Sequence, residues 1–384
     1  MLSDFFKTLR MLHRIQHDRA SYRELIELLY NETSPEDSNF LRYNYAPHIV
    51  KIITYGHAQK TQPAFSVIIP TYNRCDLLLN TLNAIAGQKS ISQNKPEVIV
   101  VDNYSEDKTE EGVAKFANFQ EALHVIYIKL KKNYGGDFAR NIGVLHSRGS
   151  LLVFTDDDCI VPPNWLSEFK RELDADPKIA GVGGFKIPRS TRERLDIYHR
   201  FVMWRHFLLP HERTKSPSIF YNRCGSLNAN VCYRKSIFEK IGGFNVYFRH
   251  IGSRELKVRL HRSGAILLYE PRMVEHFAYF SFADYVRKLL IQGWDRYLLH
   301  VLHPEVELSS SFGHLLKRSG RDILVVFSGR NTMPFFNGSL PDKIGFSFIS
   351  IITSLFLWSG KYWIPLKILV PKNRGDDNLL PIEE

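Results

Sequence analysis

The chain has 384 residues, of which 44% are hydrophobic and 13% aromatic, a composition that fills a large core and excludes a disordered polypeptide. Lys and Arg outnumber Asp and Glu by 51 to 40, and the net charge of +11 favours partners that carry phosphate. No motif for recognising nucleic acid accompanies this charge, so nucleic acid is excluded as a partner. The four cysteines lack metal-finger spacing, and the first residues, MLSDFFKTLR, lack an apolar signal segment. These features predict a cytoplasmic protein with reduced thiols.

The first 60 residues are predicted to form a helical segment and a linker. Over residues 1–30, Leu2, Phe5, Leu9 and Leu12 recur at helical spacing and form one apolar face. Basic residues form another face, so this helix either lies on a membrane surface or docks onto the protein's own core. Residues 31–60 are interpreted as a linker with one short apolar run at 49–53.

From residue 61 to 280 the pattern predicts an α/β domain. Short apolar runs predict strands over 65–70, 97–102, 124–130 and 151–158, with a helix over 75–86 after the first. Continuous apolar strands separated by helices indicate a mostly parallel sheet with helices on both faces. In such sheets ligands bind beyond the carboxyl ends of the strands, so Thr71, Asp102 and Asp156–Asp158 are expected on one rim.

Three consecutive acids, Asp156, Asp157 and Asp158, follow the fourth apolar run. Buried together without partners they would repel one another and lose hydration, and a divalent cation resolves both problems. Mg²⁺ or Mn²⁺ prefers such oxygen ligands and bridges them to substrate phosphates, so Asp156 and Asp158 form a predicted Asp-x-Asp metal site. Asp157 is a candidate contact to ribose or metal. The alternative is a solvated acidic turn that precedes the helix entered at Pro162-Pro163-Asn164.

Two further turns are candidate contacts for a nucleotide. Thr71, Asn73 and Arg74 follow the first strand, where they either contact a nucleotide and its phosphates or cap the next helix. Asp102 ends the second strand and is placed to accept hydrogen bonds from a base or ribose. The glycine-rich stretch from Asn133 to Asn141 precedes a helix, where backbone approaches a ligand closely, and it matches neither a Walker loop nor GxGxxG.

Six motifs follow one another over residues 65–280: PTYNR, VVDNYSED, NYGGDFARN, FTDDD, NANVCYRK…GGF and GSRELKVRL…YEPRMVEH. Their order and spacing resemble those of family 2 inverting glycosyltransferases with the GT-A fold. The resemblance implies a Rossmann-like sheet, a nucleotide-diphosphate-sugar donor and a divalent cation (Mn or Mg). It also implies inversion at the anomeric carbon by direct displacement.

The resemblance further implies roles for individual residues. The nucleotide-sugar site would be formed by residues from the turns and strands above: Pro70, Thr71, Tyr72, Asn73, Arg74, Asp102, Asn133, Gly136, Asp137, Arg140, Asp156, Asp157, Gly184 and Asn230. Gly183 and Gly184 would form the floor of the sugar site. Asp156, Asp158 and His276 would hold the metal, with Asp158 also counted as catalytic. The alternative for His276 is a hydrogen-bonded place in the core.

The general base is where the chain departs from the family. Relatives carry a Glu-Asp pair just before the helix that here begins Glu255-Leu256, and Gly252 and Ser253 stand at those two positions. Because serine is a poor base, Glu255 is the predicted base, and His250 is a weaker candidate. Alternatively, Glu255 only pairs with Lys257 or Arg259 or caps the helix. An acceptor with its own acidic group, or an inactive relative, would also fit.

Residues 281–384 are predicted to be helical and membrane-associated. A basic amphipathic helix is expected over 282–294, and Gln292, Trp294 and Arg296 stand in the wrong order for the motif of processive relatives. The uncharged run 344–360 is slightly short for a membrane span, and Ser347, Ser350 and Ser354 share one of its faces. An in-plane or re-entrant membrane helix, a true span and a buried soluble helix all stay open.

These observations predict a metal-dependent glycosyltransferase for cell-surface or extracellular polysaccharide, peripheral on the cytoplasmic face of a membrane. Its acceptor would be a glycan or a lipid-linked molecule. A catalytically impaired sugar-nucleotide-binding relative and a nucleotidyltransferase are the alternatives.

Overall fold

The computed structural model of the chain describes residues 39–56, 62–89, 96–120, 123–189, 196–207, 214–215, 228–277, 281–303, 312–328 and 339–369. The helix predicted over residues 1–30 lies outside this range. The strands are β1 (Ile49–Tyr55), β2 (Phe65–Thr71), β3 (Glu97–Asp102), β4 (His124–Leu130), β5 (Leu151–Thr155), β6 (Cys159–Ile160), β7 (Ile179–Arg189), β8 (Thr214–Lys215), β9 (Asn230–Arg234) and β10 (Ile266–Phe277). The helices are α1 (Cys75–Ala86), α2 (Thr109–Phe119), α3 (Gly136–Leu145), α4 (Trp165–Ala175), α5 (Ile197–Phe207), α6 (Lys235–Lys240), α7 (Gly252–Arg262), α8 (Phe282–Leu302), α9 (Phe312–Phe327) and α10 (Leu340–Leu369).

One sheet organises the domain, with strand order β1-β4-β3-β2-β5-β9-β7-β10-β6 and β8 paired to β10. Strands β2, β3, β4, β5, β7 and β10 run in one direction, and β1, β6, β8 and β9 run against them. The predicted α/β class with a mostly parallel sheet is therefore confirmed. The antiparallel strand β9 joins the two parallel groups at its centre.

Helices cover both faces of this sheet because its central strands are apolar on both sides. Leu78 of α1, Val113 of α2 and Trp165 of α4 pack with Val67 and other strand residues on one face. Residues of α3, α6, α7 and α8 pack on the other face, among them Phe138, Phe238, Leu256 and Trp294. Alternate residues of the same strand enter different clusters, which is the period expected of a strand buried on both faces.

The prediction of a linker over residues 31–60 needs a correction. Residues 49–55 form β1, which pairs antiparallel with β4 at the edge of the sheet. Its side chains alternate between partly buried and exposed, and Val50 and Ile52 are exposed, as suits an edge strand. A short apolar run gives no sign of its pairing partner, so the start of the sheet could not be placed from the sequence. The sheet begins before the predicted boundary at residue 60.

The strand predicted over 151–158 is shorter, because β5 ends at Thr155. The three acids that follow form the turn into β6, since three neighbouring charges cannot all lie in a fully buried ladder. The expected helix over 282–294 extends further, to Leu302 in α8.

Helices α5, α8, α9 and α10 form a separate cluster, and α8 and α10 approach closely at two glycines. A Cβ on Gly293 would lie 2.2 Å from the carbonyl oxygen of Leu357, and one on Gly360 would lie 2.0 Å from that of Leu290. The serine face of α10 is buried against α9: Ser350 Oγ donates to Asp322 Oδ2 over 2.8 Å, and Ser354 Oγ lies 2.7 Å from Ser319 Oγ. The polar face thus serves packing between helices.

Candidate active site

Asp156, Asp158 and His276 come together at the rim where β5 and β10 end. One ligand atom from each lies within 4.8 Å of the others. The pairing of β6 with β10 produces this, because it sets His276 opposite Cys159, the residue after Asp158. Two carboxylates and an imidazole form a donor set that suits Mn²⁺ and, less closely, Mg²⁺, so the residues fit a divalent cation. His276 Nε2 lies 3.2 Å from Asp158 Oδ1, beside the cluster and partly exposed.

Positive side chains surround Asp156. Arg140 Nη2 donates to its Oδ1 over 2.6 Å, and Lys186 Nζ donates to its Oδ2 over 3.0 Å. Burial alone would raise the pKa of Asp156, but the charges of Lys186 and Arg140 hold that pKa well below its usual range. Lys186 was missed by the sequence analysis. The only sign of it is a single lysine within the apolar strand that also carries Gly183 and Gly184.

Asp157 turns away from the cluster of Asp156, Asp158 and His276. Its Oδ2 accepts a 2.8 Å hydrogen bond from Thr71 Oγ1, and its carbonyl accepts one of 2.8 Å from Thr81 Oγ1. Burial raises the pKa of Asp157 to about 7, although the nearby Arg74 guanidinium opposes that shift. Asp157 therefore ties the acidic turn to β2 and α1 and lies outside the cluster of Asp156, Asp158 and His276, and its contact to ribose or metal stays a prediction.

The turns after β2 and β3 are tied to each other. Asn73 adopts a left-handed φ of 50°; its backbone N–H donates to Ser105 Oγ over 2.9 Å, and its Oδ1 accepts from Glu106 N over 2.8 Å. Asp102 lies fully buried beneath this pair of turns, accepting from Ser105 N over 2.7 Å and from the Tyr127 hydroxyl. Its carboxylate thus shapes the turn, and its contact to a base or ribose stays a prediction. Arg74, 41% exposed, lies 3.2 Å from Asp158.

The glycine-rich stretch closes the rim from the side of β4. Asn133 Oδ1 accepts a hydrogen bond from Gly135 N over 3.0 Å, and Gly135 takes a φ of 92° that other residues rarely adopt. The helix α3 then begins at Gly136, which carries Asp137 and Arg140 into the site. Arg140 Nη1 donates to Asp137 Oδ1 over 2.8 Å, and both side chains are buried.

Four other predicted donor contacts lie at or under the same rim. Pro70 is the penultimate residue of β2 and Tyr72 follows the strand, while Gly184 lies in β7 two residues before Lys186. Asn230 is fully buried, and its side chain links Trp165 Nε1 and the carbonyl of Phe185 over 2.8 and 3.0 Å. The amide oxygen and the amide nitrogen of Asn230 both form hydrogen bonds within the protein. Its buried side chain therefore supports the site, and its contact to the donor stays a prediction.

Glu255, the predicted general base, is paired inside the protein. Its carboxylate accepts two hydrogen bonds from Arg259, of 2.8 and 2.7 Å, and lies 3.4 Å from His303 Nε2. Burial would raise its pKa, but Arg259 and His303 lower the pKa of Glu255 to about 2. A carboxylate held in this way is a weak base, so the alternative of a pairing with Arg259 describes it correctly. His303, from the end of α8, could not be found from sequence spacing.

His250 and Ser253 do not replace it. His250 is exposed, but desolvation by the protein atoms around its ring, and then the charges of Lys288 and Arg249, lower its pKa to about 3, so its neutral ring is a poor proton acceptor. Ser253 is half-buried at the first turn of α7. Asp295, another residue that the sequence did not single out, caps this region by accepting from the backbone N–H groups of residues 249–251 over 3.1, 2.7 and 3.0 Å.

The geometry of this rim agrees with a family assignment made on sequence. The model for glycosyl transferase family 2 matches residues 66–242, the segment from β2 to the end of α6 that includes all three acids. This domain belongs to glycosyl transferase family 2. The resemblance noted in the sequence is thereby confirmed, and the family 2 domain is the part of the chain that carries the acidic rim.

Individual relatives agree with that assignment over parts of their length. A glycosyltransferase, AglE, of Haloferax volcanii is 38% identical over 106 residues, which are 28% of this chain and 34% of that protein. A chondroitin synthase of Escherichia coli is 27% identical over 263 residues, 60% of this chain and 36% of that protein. The chain therefore spans about a third of the length of these relatives. The solved structure of a Pyrobaculum calidifontis mannosyltransferase with GDP-Man and Mn²⁺ aligns over 90% of this chain and 85% of its own, at 18% identity and a TM-score of 0.45.

Proposed function

We propose that the chain is a metal-dependent, inverting glycosyltransferase that moves a sugar from a nucleotide-diphosphate-sugar to a glycan or lipid-linked acceptor. One observation carries the proposal: two carboxylates and an imidazole lie within 4.8 Å of one another at the carboxyl rim of a family 2 domain. Synthesis of cell-surface or extracellular polysaccharide is the process that we infer, because the chondroitin synthase relative is named for that kind of product.

In this proposal Asp156, Asp158 and His276 hold the cation, which would neutralise charge developing on the departing diphosphate. Arg74 and Lys186 lie beside the same acids and add positive charge at the place where the phosphates would bind. Arg140 and Lys186 neutralise Asp156 in the absence of a cation. Once a cation binds that carboxylate, both side chains would be drawn to the phosphates. The site thus stays close to electroneutral with and without donor.

The direct test is a panel of UDP- and GDP-sugars measured by thermal shift with and without Mn²⁺. We expect one donor to stabilise the folded chain only when the metal is present, and at about 100 times its Kd the gain is about 2.7 kcal/mol. Release of UDP or GDP from that donor then measures turnover. Metal-independent stabilisation by every donor would contradict the proposal, and binding without any turnover would favour an impaired sugar-nucleotide-binding protein. Release of pyrophosphate from a nucleoside triphosphate in the presence of a sugar phosphate would instead indicate a nucleotidyltransferase.

We further propose that α9 and α10 attach the protein to the cytoplasmic face of a membrane. The segment Leu340–Gly360 is long and apolar enough to cross a bilayer, yet 39% of its apolar window is buried within the protein. Its exposed apolar side chains form one stripe at helical spacing, which consists of Leu340, Ile344, Phe348, Ile351 and Leu355. Leu316, Leu324 and Phe327 of α9 are exposed as well. A helix packed on one face and apolar on the other suits an in-plane position at the interface.

This attachment predicts that Phe348→Asp with Leu355→Asp abolishes sedimentation with vesicles containing anionic lipid. The matched control is Phe119→Asp at the end of α2, an 86% exposed phenylalanine outside the stripe, which should leave sedimentation unchanged. Because all three sites are exposed, the variants should keep the melting temperature of the wild type. Equal binding by wild type and the double variant would show that the stripe does not face lipid.

A further inference from the structure

A carboxylate occupies the place where the family's acidic pair is missing. An ideal Cβ built on Gly252 would lie 1.9 Å from Asp137 Oδ2 and 3.1 Å from Asp137 Cγ. Real atoms do not approach so closely, so any side chain at position 252 would have to share the space that the Asp137 carboxylate fills. Asp137 and glycine at position 252 therefore fit together, although they are far apart in the sequence.

The family resemblance expects acids at positions 252 and 253, and this chain carries Gly252 and Ser253 there. The fold nonetheless places a carboxylate at the start of α7, and it comes from Asp137 in the first turn of α3. An acid lost from one helix is thus matched in space by an acid on another.

The geometry points to Asp137 as the general base of this transferase, an inference that rests on the function proposed above. In the step, the acceptor hydroxyl oxygen bonds to the anomeric carbon as the bond from that carbon to the phosphate oxygen breaks. The bonding electrons leave with the nucleoside diphosphate, and the hydroxyl proton passes to the carboxylate of Asp137 and then to solvent. No further reactant is needed.

The contacts of Asp137 suit that role. Arg140 bonds only Oδ1, whereas Oδ2 lies against Gly252 and accepts no hydrogen bond from the residues that the structure describes; the residue is 6% exposed. The same guanidinium reaches Asp156 Oδ1 through its other nitrogen, so one arginine separates the base from the metal ligand.

The electrostatics point the same way. Burial raises the pKa of Asp137 to about 6, with Arg140 opposing the shift and the charges of Asp156 and Glu255 adding to it. Asp137 is therefore ionised at pH 7 but accepts a proton more readily than an ordinary aspartate. Arg259 and His303 lower the pKa of Glu255 to about 2, so Glu255 does not compete with Asp137 for the proton.

The first test compares Asp137→Asn with wild type, using Mn²⁺ with UDP or GDP to measure binding and nucleotide release from the matching sugar donor to measure turnover. A base is worth roughly 10²–10⁴-fold, so turnover should fall at least 100-fold while nucleotide affinity stays within a few-fold. Asp174→Asn, on the exposed surface of α4, is the matched control and should change neither. Turnover within a few-fold of wild type in Asp137→Asn would overturn the assignment, and so would a parallel loss of nucleotide binding.

The second test moves the carboxylate back to α7. Gly252→Asp alone should lower the melting temperature, because its Cβ meets Asp137. Adding Asp137→Ser frees the space, and the double variant should regain at least ten-fold in turnover over Asp137→Ser alone. A double variant no faster than that single variant would overturn the proposal. A wild-type chain that binds nucleotide but releases none from any donor would instead contradict the proposed function itself.

Discussion

Asp156→Asn or Asp158→Asn is expected to abolish the Mn²⁺-dependent stabilisation by nucleotide and to lower turnover by at least 10²-fold. Each substitution removes one of the two carboxylates of the cluster, and an amide is a far weaker ligand for a hard cation. Wild type saturated at about 100 times the Kd should gain about 2.7 kcal/mol in unfolding free energy, and the variants should gain almost none. Thermal shift and urea unfolding with Mn²⁺ and UDP or GDP measure the difference.

Asp157→Asn provides a control within the same motif. Its carboxylate faces Thr71 and Arg74 on the other side of the turn, so this variant should keep the metal dependence and lose some stability. In a solvated acidic turn the three neighbouring aspartates would be equivalent. A loss of metal response in the Asp156 and Asp158 variants but not in the Asp157 variant is therefore specific to the folded arrangement. Equal loss of metal response in all three variants, or retention in Asp156→Asn, would show that the cation does not bind between Asp156, Asp158 and His276.

Glu255→Gln is expected to destabilise the fold by about 3 kcal/mol at pH 7, which is the cost of removing one partner from a buried ion pair. The residue is 2% exposed and its carboxylate is held by Arg259 of the same helix and by His303, which connects α7 to the end of α8. Urea unfolding of wild type and variant measures the loss. Glu239→Gln, whose carboxylate is 53% exposed beside Lys235, is the matched control and should change stability by less than about 0.5 kcal/mol.

The pH dependence of that difference follows from the pKa. Folding lowers the pKa of Glu255 from 4.5 to about 2, so the ionised form is favoured in the folded chain. A difference in pKa of about 2.5 corresponds to about 3 kcal/mol of stabilisation of the folded chain. This stabilisation is present above pH 4.5 and is lost as the pH falls towards 2. Wild type and Glu255→Gln should therefore converge in stability over that window. A constant difference down to pH 3 would place the effect in packing rather than in the charge.

Local sequence pattern was sufficient for the central strands. The bounds predicted for β3 and β4 and for α1 agree with the structure, because each strand is a mostly apolar run that polar residues follow. The acids after β5 were placed on the correct rim for the same reason, since parallel strands bring their carboxyl ends to one edge. Edge strand β1 was missed, because half-exposed apolar residues in a short run have no local sign of a partner.

The residues that differ from their predicted roles do so through contacts distant in sequence. Asn230 is tied to Trp165 and Asp102 to Tyr127, whereas the sequence assigned Asn230 to the donor by resemblance and Asp102 by its place at the end of a strand. A motif specifies residue types along one segment, whereas burial and hydrogen-bond partners come from other segments. Lys186 reaches Asp156 only because β7 lies near β5 with β9 between them, an order that the sequence does not state.

Residue types and spacing by themselves determined the α/β class, the rim and the acids that would bind a cation, because these depend on strand direction and on the chemistry of single segments. Only the tertiary structure decided which carboxylates are already paired inside the protein and which can still accept a proton or a cation. Glu255 is paired because α8 brings His303 to it, and Asp137 lies at the start of α7 because Gly252 leaves room there. The ionisation and reach of a side chain are set by neighbours from other elements, and only the folded chain supplies those neighbours.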